Sequence, residues 1–265
     1  MTSIETKIEP RSRTIYPDLS GKVALITGGS RGIGAATAVA FGANGSSVIV
    51  VGRDRHALDD TVDLVAATGV RALGIVADCT VEAELAALRQ RVDDEFGRVD
   101  ILAVFAGGNG MPVSTALENS AHWREVIESD LTSTYLTVSA FLPGMVAARS
   151  GVIITMASAA ARQPSRSSAA YAAAKGGVIA FSRHLANEVG YEGIRVNCLA
   201  PSAIENERMR TWTTEEQRRA LGQSFPVGRL GVPEDVAAAT LFLSSSASSW
   251  ITGVTLDVAG GKVMI

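Results

Sequence analysis

The chain has 265 residues, 47% of them hydrophobic and 19% charged, with a formal net charge of −3. That length suits one large α/β domain with a single substantial core, and the composition excludes a disordered chain. The slight acidity argues against a protein whose main task is gripping polyphosphate or an anionic membrane surface.

Residues 1–20 read as a polar leader with no apolar run of the secretory kind. Beyond them, short apolar runs alternate with helical patterns. Residues 23–27 (Val-Ala-Leu-Ile-Thr) have no polar alternate face, which predicts a strand buried on both sides. A helix over 35–44, stopped by Gly45, leads to a strand over 47–51. A helix over 55–68 is expected between an Asp54 cap and Gly69, followed by a strand over 72–77. Another helix, over 81–96, is expected between a Thr80 cap and Gly97, with a strand over 100–105.

One long helix over 121–149 precedes a strand at 152–156; a second over 168–190 precedes a strand at 194–199. Residues 204–230 are polar and irregular. Pro233 then opens a helix, where its missing N–H costs nothing, and a last strand spans 254–258. The alternation implies a single doubly wound Rossmann-type domain over 21–265, with a parallel seven-stranded sheet and ligands at the strands' carboxyl ends.

Two charge-free stretches, 131–148 and 236–256, carry too many Ser and Thr residues for bilayer spans. Cys79 and Cys198 stand in no CxxC or zinc-ligand spacing, so a disulfide scaffold is excluded and no metal is expected. The chain reads as soluble and cytoplasmic.

Thr27-Gly28-Gly29-Ser30-Arg31-Gly32-Ile33-Gly34 joins the first strand to the first helix. Glycines there let the backbone turn sharply and approach a phosphate, and the helix N-terminus behind offers free N–H groups and partial positive charge. Loose glycine clusters are common in a chain with 26 Gly. The position at the end of the first strand makes this one a nucleotide loop.

Tyr171 and Lys175 are four apart on an expected helix and share a face. A solvated helix pair has the same spacing. The chemical reading is that an ammonium beside a phenol favours the phenolate, so the tyrosine can exchange a proton with a carbonyl or alcohol oxygen. Ser158 follows the 152–156 strand at the carboxyl edge, where its hydroxyl would donate to the same oxygen.

Together these motifs resemble the short-chain dehydrogenase/reductase family over nearly all of residues 20–261, especially its 3-oxoacyl-type carbonyl reductases. TGxxxGxG is matched at Thr27, Gly28, Gly32 and Gly34, YxxxK at Tyr171 and Lys175, and the serine thirteen residues upstream at Ser158. The resemblance implies hydride transfer between a nicotinamide and a ketone or secondary alcohol. Tyr171 would be the acid/base, Ser158 would polarise the oxygen, and Lys175 would hold the nicotinamide ribose. Carried over residue by residue, Ser30, Arg31 and Ile33 join the glycines at the cofactor and Asp78 meets adenine. Ala106 and Gly107 line the adenosine side, Pro201 packs over nicotinamide and Ile204 contacts its carboxamide. Asn197 is structural. The family also implies packing of the two long helices between subunits, usually in a homotetramer.

Members that prefer NAD end the second strand on a carboxylate. Here Gly52 stands there, with Arg53 next and Arg31 nearby, two guanidiniums suited to a 2′-phosphate. Pairing of Arg53 with Asp54, which could itself receive a 2′-OH, is the opposing reading; NADP(H) is favoured over NAD(H). Departures from the family include Val104-Phe105 in place of two asparagines, and Asp130 at the position of a catalytic asparagine. That asparagine helps hold a water that relays protons to the lysine; an aspartate accepts from this water but donates only when protonated.

Residues 202–230 form the expected substrate cover, with Met209 and Trp212 as candidate pocket floor. Arg162 and Arg166 are either exposed loop residues or a grip for an anionic substrate such as an acyl-carrier phosphopantetheine. Three functions follow: an NADP-dependent carbonyl reductase, an NAD-dependent alcohol dehydrogenase, or a nucleotide-binding module with impaired catalysis.

Overall fold

The structure, a computed structural model, describes residues 15–108 and 110–265. Seven strands alternate with helices: β1 (Val23–Thr27), α1 (Gly32–Ala43), β2 (Ser47–Gly52), α2 (Arg55–Ala66), β3 (Ala72–Val76), α3 (Glu82–Phe96) and β4 (Ile101–Val104). Then follow α4 (Ser120–Ile127), α5 (Ser133–Ala148), β5 (Gly151–Met156), α6 (Ala169–Val189) and β6 (Ile194–Pro201). The last third adds α7 (Glu207–Trp212), α8 (Glu215–Gln223), α9 (Pro233–Ser244) and β7 (Thr255–Val258). All pairings are parallel, in the order β3-β2-β1-β4-β5-β6-β7. The chain winds outward from β1 to β3 and returns to β4 on the other side, so the switch point lies at the carboxyl ends of β1 and β4.

The two-sided burial of the strands accounts for their continuous apolar runs. Leu25, Ile49, Leu102 and Ile153 point into one layer with Leu88 of α3, Phe141 of α5 and Leu185 of α6. Their neighbours Ile26, Val50, Ala103 and Ile154 point the other way, against Phe41 of α1, Leu58 of α2 and Leu241 of α9. Each such side chain contributes about 1.5–3 kcal/mol by leaving water.

The long helix expected over 121–149 is one helical run, Ser120–Ala148, in which a π turn, Glu128–Thr132, joins α4 to α5 and carries Asp130 into the protein. Three local expectations need correction. Thr80 does not cap α3. Val81 holds that position without a side-chain bond, and the Thr80 hydroxyl donates instead to Asp78 Oδ1 at 2.7 Å. The irregular 204–230 segment contains two short helices, α7 and α8. Residues 1–14 of the expected leader lie outside the described residues, but its end belongs to the domain. Leu19 is buried in the α1 layer and accepts a bond from the Ser46 hydroxyl at 2.7 Å, while Tyr16 N–H donates to Asn44 Oδ1 at 2.7 Å.

The helical run Ser120–Ala148 has the length and mean hydropathy, 1.3, of a membrane span. Val138, Phe141 and Met145 on it instead pack into the sheet layer.

Candidate active site

β1 ends in Thr27, whose buried hydroxyl oxygen accepts from the N–H groups of Phe105 and Ala106 at 3.1 and 3.2 Å. Thr27 therefore braces the β1 and β4 ends against each other. Gly28 follows with φ +64, where a Cβ would lie 2.7 Å from the Phe105 carbonyl oxygen; Cβ on Gly34 would lie 2.1 Å from the Gly28 carbonyl oxygen. The chain therefore closes tightly on itself before α1. The N-cap residue, Arg31, makes no side-chain cap bond, and no acidic residue occupies the first turn of α1. A tight glycine turn leading to uncapped helix N–H groups fits a dinucleotide pyrophosphate, with Ser30, Gly32 and Ile33 in the turn.

At the β2 side of this loop the two expected cations are both engaged. Arg31 Nη2 lies 2.6 Å from Asp54 Oδ2, and Arg53 Nη1 lies 3.6 Å from Asp78 Oδ2. Asp54 thus pairs with Arg31 rather than with Arg53, and its other oxygen caps α2 through the Ala57 N–H at 3.1 Å. Bonding to Arg31 holds the Asp54 carboxyl below its ordinary range, and the Thr80 backbone N–H does most to hold Asp78 down. Arg31 and Arg53 remain 59% and 79% exposed. Gly52 leaves room here: a Cβ on it would approach Ser30 Oγ to 3.2 Å.

Tyr171 and Lys175 lie on α6, whose first turn is capped by Ser168 Oγ accepting from Tyr171 N–H at 3.2 Å. Lys175 is buried; its Nζ donates to the Met156 carbonyl at 3.1 Å and sits 5.7 Å from the centre of the Tyr171 ring. The same Nζ lies 3.1 Å from Asp130 Oδ1, with the two side chains 3% and 0% exposed. Asp130 also accepts from Gly108 N–H at 2.6 Å and from Ser129 Oγ at 2.7 Å. The bare Gly107 backbone makes room for it, since a Cβ there would stand 2.8 Å from Oδ1. Lysine and carboxylate are thus in direct contact.

Ser158 opens the 3-10 turn Ala159–Ala161 two residues beyond Met156 and accepts from Ala160 N–H at 3.1 Å. That bond uses one of the two hydroxyl lone pairs and leaves the O–H proton for an outward bond. Lys175 thus ties α6 to the strand end that bears Ser158. Tyr171 is half-buried with its ring against Gly110, where a Cβ would come within 3.3 Å.

An open depression of about 620 Å³ lies between Val113–Thr115 and residues 160–172, and none of Ser158, Tyr171 and Lys175 lines it. A second cavity, about 300 Å³, is lined by Ile204, Phe225, Arg229, Asp235 and Asp257 at the base of the 202–230 segment. Pro201 ends β6, and Ile204 makes a single parallel bridge to Gly231.

Arg162 corrects an expectation. It is neither an exposed loop residue nor a free substrate grip, because Asp257 holds it in a two-pronged ion pair. Asp257 was not among the sequence candidates; its partner lies 95 residues away and no motif links them. Arg166 is exposed. Asn197 donates to Ile251 O at 3.0 Å and accepts from Val254 N–H at 3.2 Å, tying β6 to the loop before β7.

A family model described as enoyl-(acyl carrier protein) reductase matches residues 28–262. The 3-oxoacyl-[acyl-carrier-protein] reductase FabG of Salmonella typhimurium is 37% identical over 245 residues, covering 92% of this chain and 98% of that protein. The crystal structure of the 3-oxoacyl-[acyl-carrier protein] reductase from Brucella melitensis superposes with a TM-score of 0.89 at 35% identity, covering 98% of each chain. An NAD+-bound xylitol dehydrogenase superposes with a TM-score of 0.84 at 28% identity, over 92% of this chain and 99% of that one.

Proposed function

The chain belongs to the short-chain dehydrogenase/reductase family, and from that premise we propose that it is an NADP(H)-dependent reductase of 3-oxoacyl thioesters or closely related ketones. The observation that carries the reading is the convergence of α6 on the end of β5, where the Lys175 ammonium lies beneath the Tyr171 ring and is pinned to the strand leading into Ser158.

A bound nicotinamide supplies the hydride. Ser158 donates its O–H proton to the substrate oxygen and so polarises the carbonyl. Tyr171 transfers its proton to that oxygen as the alcohol forms. Lys175 also offers N–H groups to the nicotinamide ribose, and Asp130 fixes where that ammonium stands. The glycine turn receives the pyrophosphate, Asp78 the adenine, Ala106 and Gly107 the adenosine side, and Pro201 and Ile204 the nicotinamide. Residues 202–230 act as the substrate cover.

The cofactor preference rests on charge. Gly52 presents no carboxylate at the β2 end, and Arg31 and Arg53 stand exposed beside it. Each guanidinium is held by a single carboxylate, and Arg31 and Arg53 together would hold a dianionic 2′-phosphate. The Arg31–Asp54 contact also favours a second reading, in which Asp54 accepts the 2′-OH of NAD(H) and the enzyme runs as an alcohol dehydrogenase. We place the protein in the cytoplasm, where its two free cysteines stay reduced, as a homotetramer packed through α4, α5 and α6.

The test is nicotinamide absorbance with acetoacetyl thioesters and a ketone panel, using NADPH and NADH in parallel. The reading requires turnover that favours NADPH and vanishes in Tyr171→Phe. Turnover that survives that substitution removes Tyr171 as the acid, and no turnover with any ketone leaves a nucleotide-binding module.

A further inference from the structure

We infer that Asp257 is a positioning residue for the reaction, fixing through Arg162 the turn that presents Ser158; the inference rests on the reductase reading above. Arg162 is the first residue beyond the turn Ala159–Ala161. Its Nε lies 3.0 Å from Asp257 Oδ1 and its Nη2 2.9 Å from Oδ2, a fork-to-fork geometry that fixes orientation as well as distance. The two side chains are only 21% and 15% exposed, so the pair is shielded from much of the solvent screening that weakens surface ion pairs.

Asp257 itself is anchored on β7, whose register against β6 pairs it with Ala200. One residue past that strand, Ala259 packs with Val263 against Ala159, a small buried apolar contact beneath the same turn. The three alanines carry no polar side chain with which to hold the turn. Its own bonds are Ala161 N–H to Ser158 O at 2.9 Å, Arg162 N–H to Ala159 O at 3.0 Å, and Ala160 N–H to Ser158 Oγ at 3.1 Å. The last of these aims the Ser158 hydroxyl. The direction of that hydroxyl therefore depends on the Ala160 amide, and the far end of the turn bearing that amide is bolted by Arg162 to the sheet edge.

Asp257→Asn keeps the size of the side chain and removes its charge and second acceptor; Arg162→Lys keeps the charge and loses the fork. Each is expected to lower kcat for ketone reduction about tenfold, while KM for the dinucleotide stays within twofold. In a Ser158→Ala background, Asp257→Asn is expected to cost nothing further, because residues acting as one unit are not additive. Unchanged kcat in Asp257→Asn, or a loss that multiplies with that of Ser158→Ala, overturns the inference. Amide hydrogen exchange at residues 159–162 provides a readout free of activity. Protection is expected to fall in Asp257→Asn, and undiminished protection overturns the inference whether or not the protein turns over a ketone. Absence of turnover in the unmodified protein would instead overturn the reductase reading.

Discussion

Asp130 Oδ1 lies 3.1 Å from Lys175 Nζ, and the two side chains are 0% and 3% exposed. The carboxylate thus serves both as the countercharge of the lysine and as the acceptor for the Gly108 N–H in the loop after β4. An asparagine of the same shape keeps an acceptor for that amide. Asp130→Asn is therefore expected to fold, and to preserve or raise reductase turnover at pH 7. A loss greater than about tenfold would show that the negative charge has its own part in the reaction. Asp130→Ala differs, because beyond the countercharge that both variants lose it also leaves the loop N–H without its acceptor. It should cost about 3–5 kcal/mol, measured by denaturant unfolding.

Gly34→Ala sets two effects against each other. Helix propensity alone favours alanine by about 1 kcal/mol. A Cβ there, however, would stand 2.1 Å from the Gly28 carbonyl oxygen, a distance only backbone movement can relieve. Sterics should win. We expect a lower Tm and loss of the thermal stabilisation that the proposed NADPH binding would give the unmodified protein. A variant with raised Tm and normal nucleotide response would show that the turn is looser than its geometry implies.

The Arg31–Asp54 contact makes cofactor preference testable from both sides. Asp54 and Asp78 are held below their ordinary carboxyl value of 3.8, so both ion pairs persist through neutral pH and are lost only on acidification, as the carboxyls take up protons. Arg31→Ala should cut kcat/KM for NADPH about tenfold and leave NADH nearly unaffected. Asp54→Asn should move the ratio further toward NADPH by releasing the guanidinium. That movement should come from a gain in NADPH use; a drop in NADH use with NADPH use unchanged in Asp54→Asn would instead favour the 2′-OH reading.

Burial pushes the Cys79 thiol up to about 11, and burial likewise raises Cys198. At pH 8 only about one Cys79 in a thousand is thiolate, so neither cysteine should react with a disulfide reagent until the protein unfolds. The sign for stability follows. The unfolded thiol ionises near its ordinary 9.0 while the folded one holds its proton, so the Cys79 contribution declines as pH rises from about 9 to 11. Fast labelling of the folded protein at pH 8 would contradict this.

Strand 23–27, the turn from Thr27 to Gly34 and the facing of Tyr171 with Lys175 were legible from residue order, because each depends on a period or spacing that covalent geometry imposes along one segment. The two-sided apolar strands likewise determined the parallel doubly wound sheet. Which charges meet was not legible. The π turn that carries Asp130 inward is a local change of winding within one helical run, and composition does not mark it. Arg162 finds its partner 95 residues onward, and Arg31 finds Asp54 across the 23 residues that separate two loops of the sheet edge. Coulombic contact depends on distance through space and on the removal of water. Only the packing of α5 and α6 against the β4 and β5 ends, and of β7 against β6, supplies either.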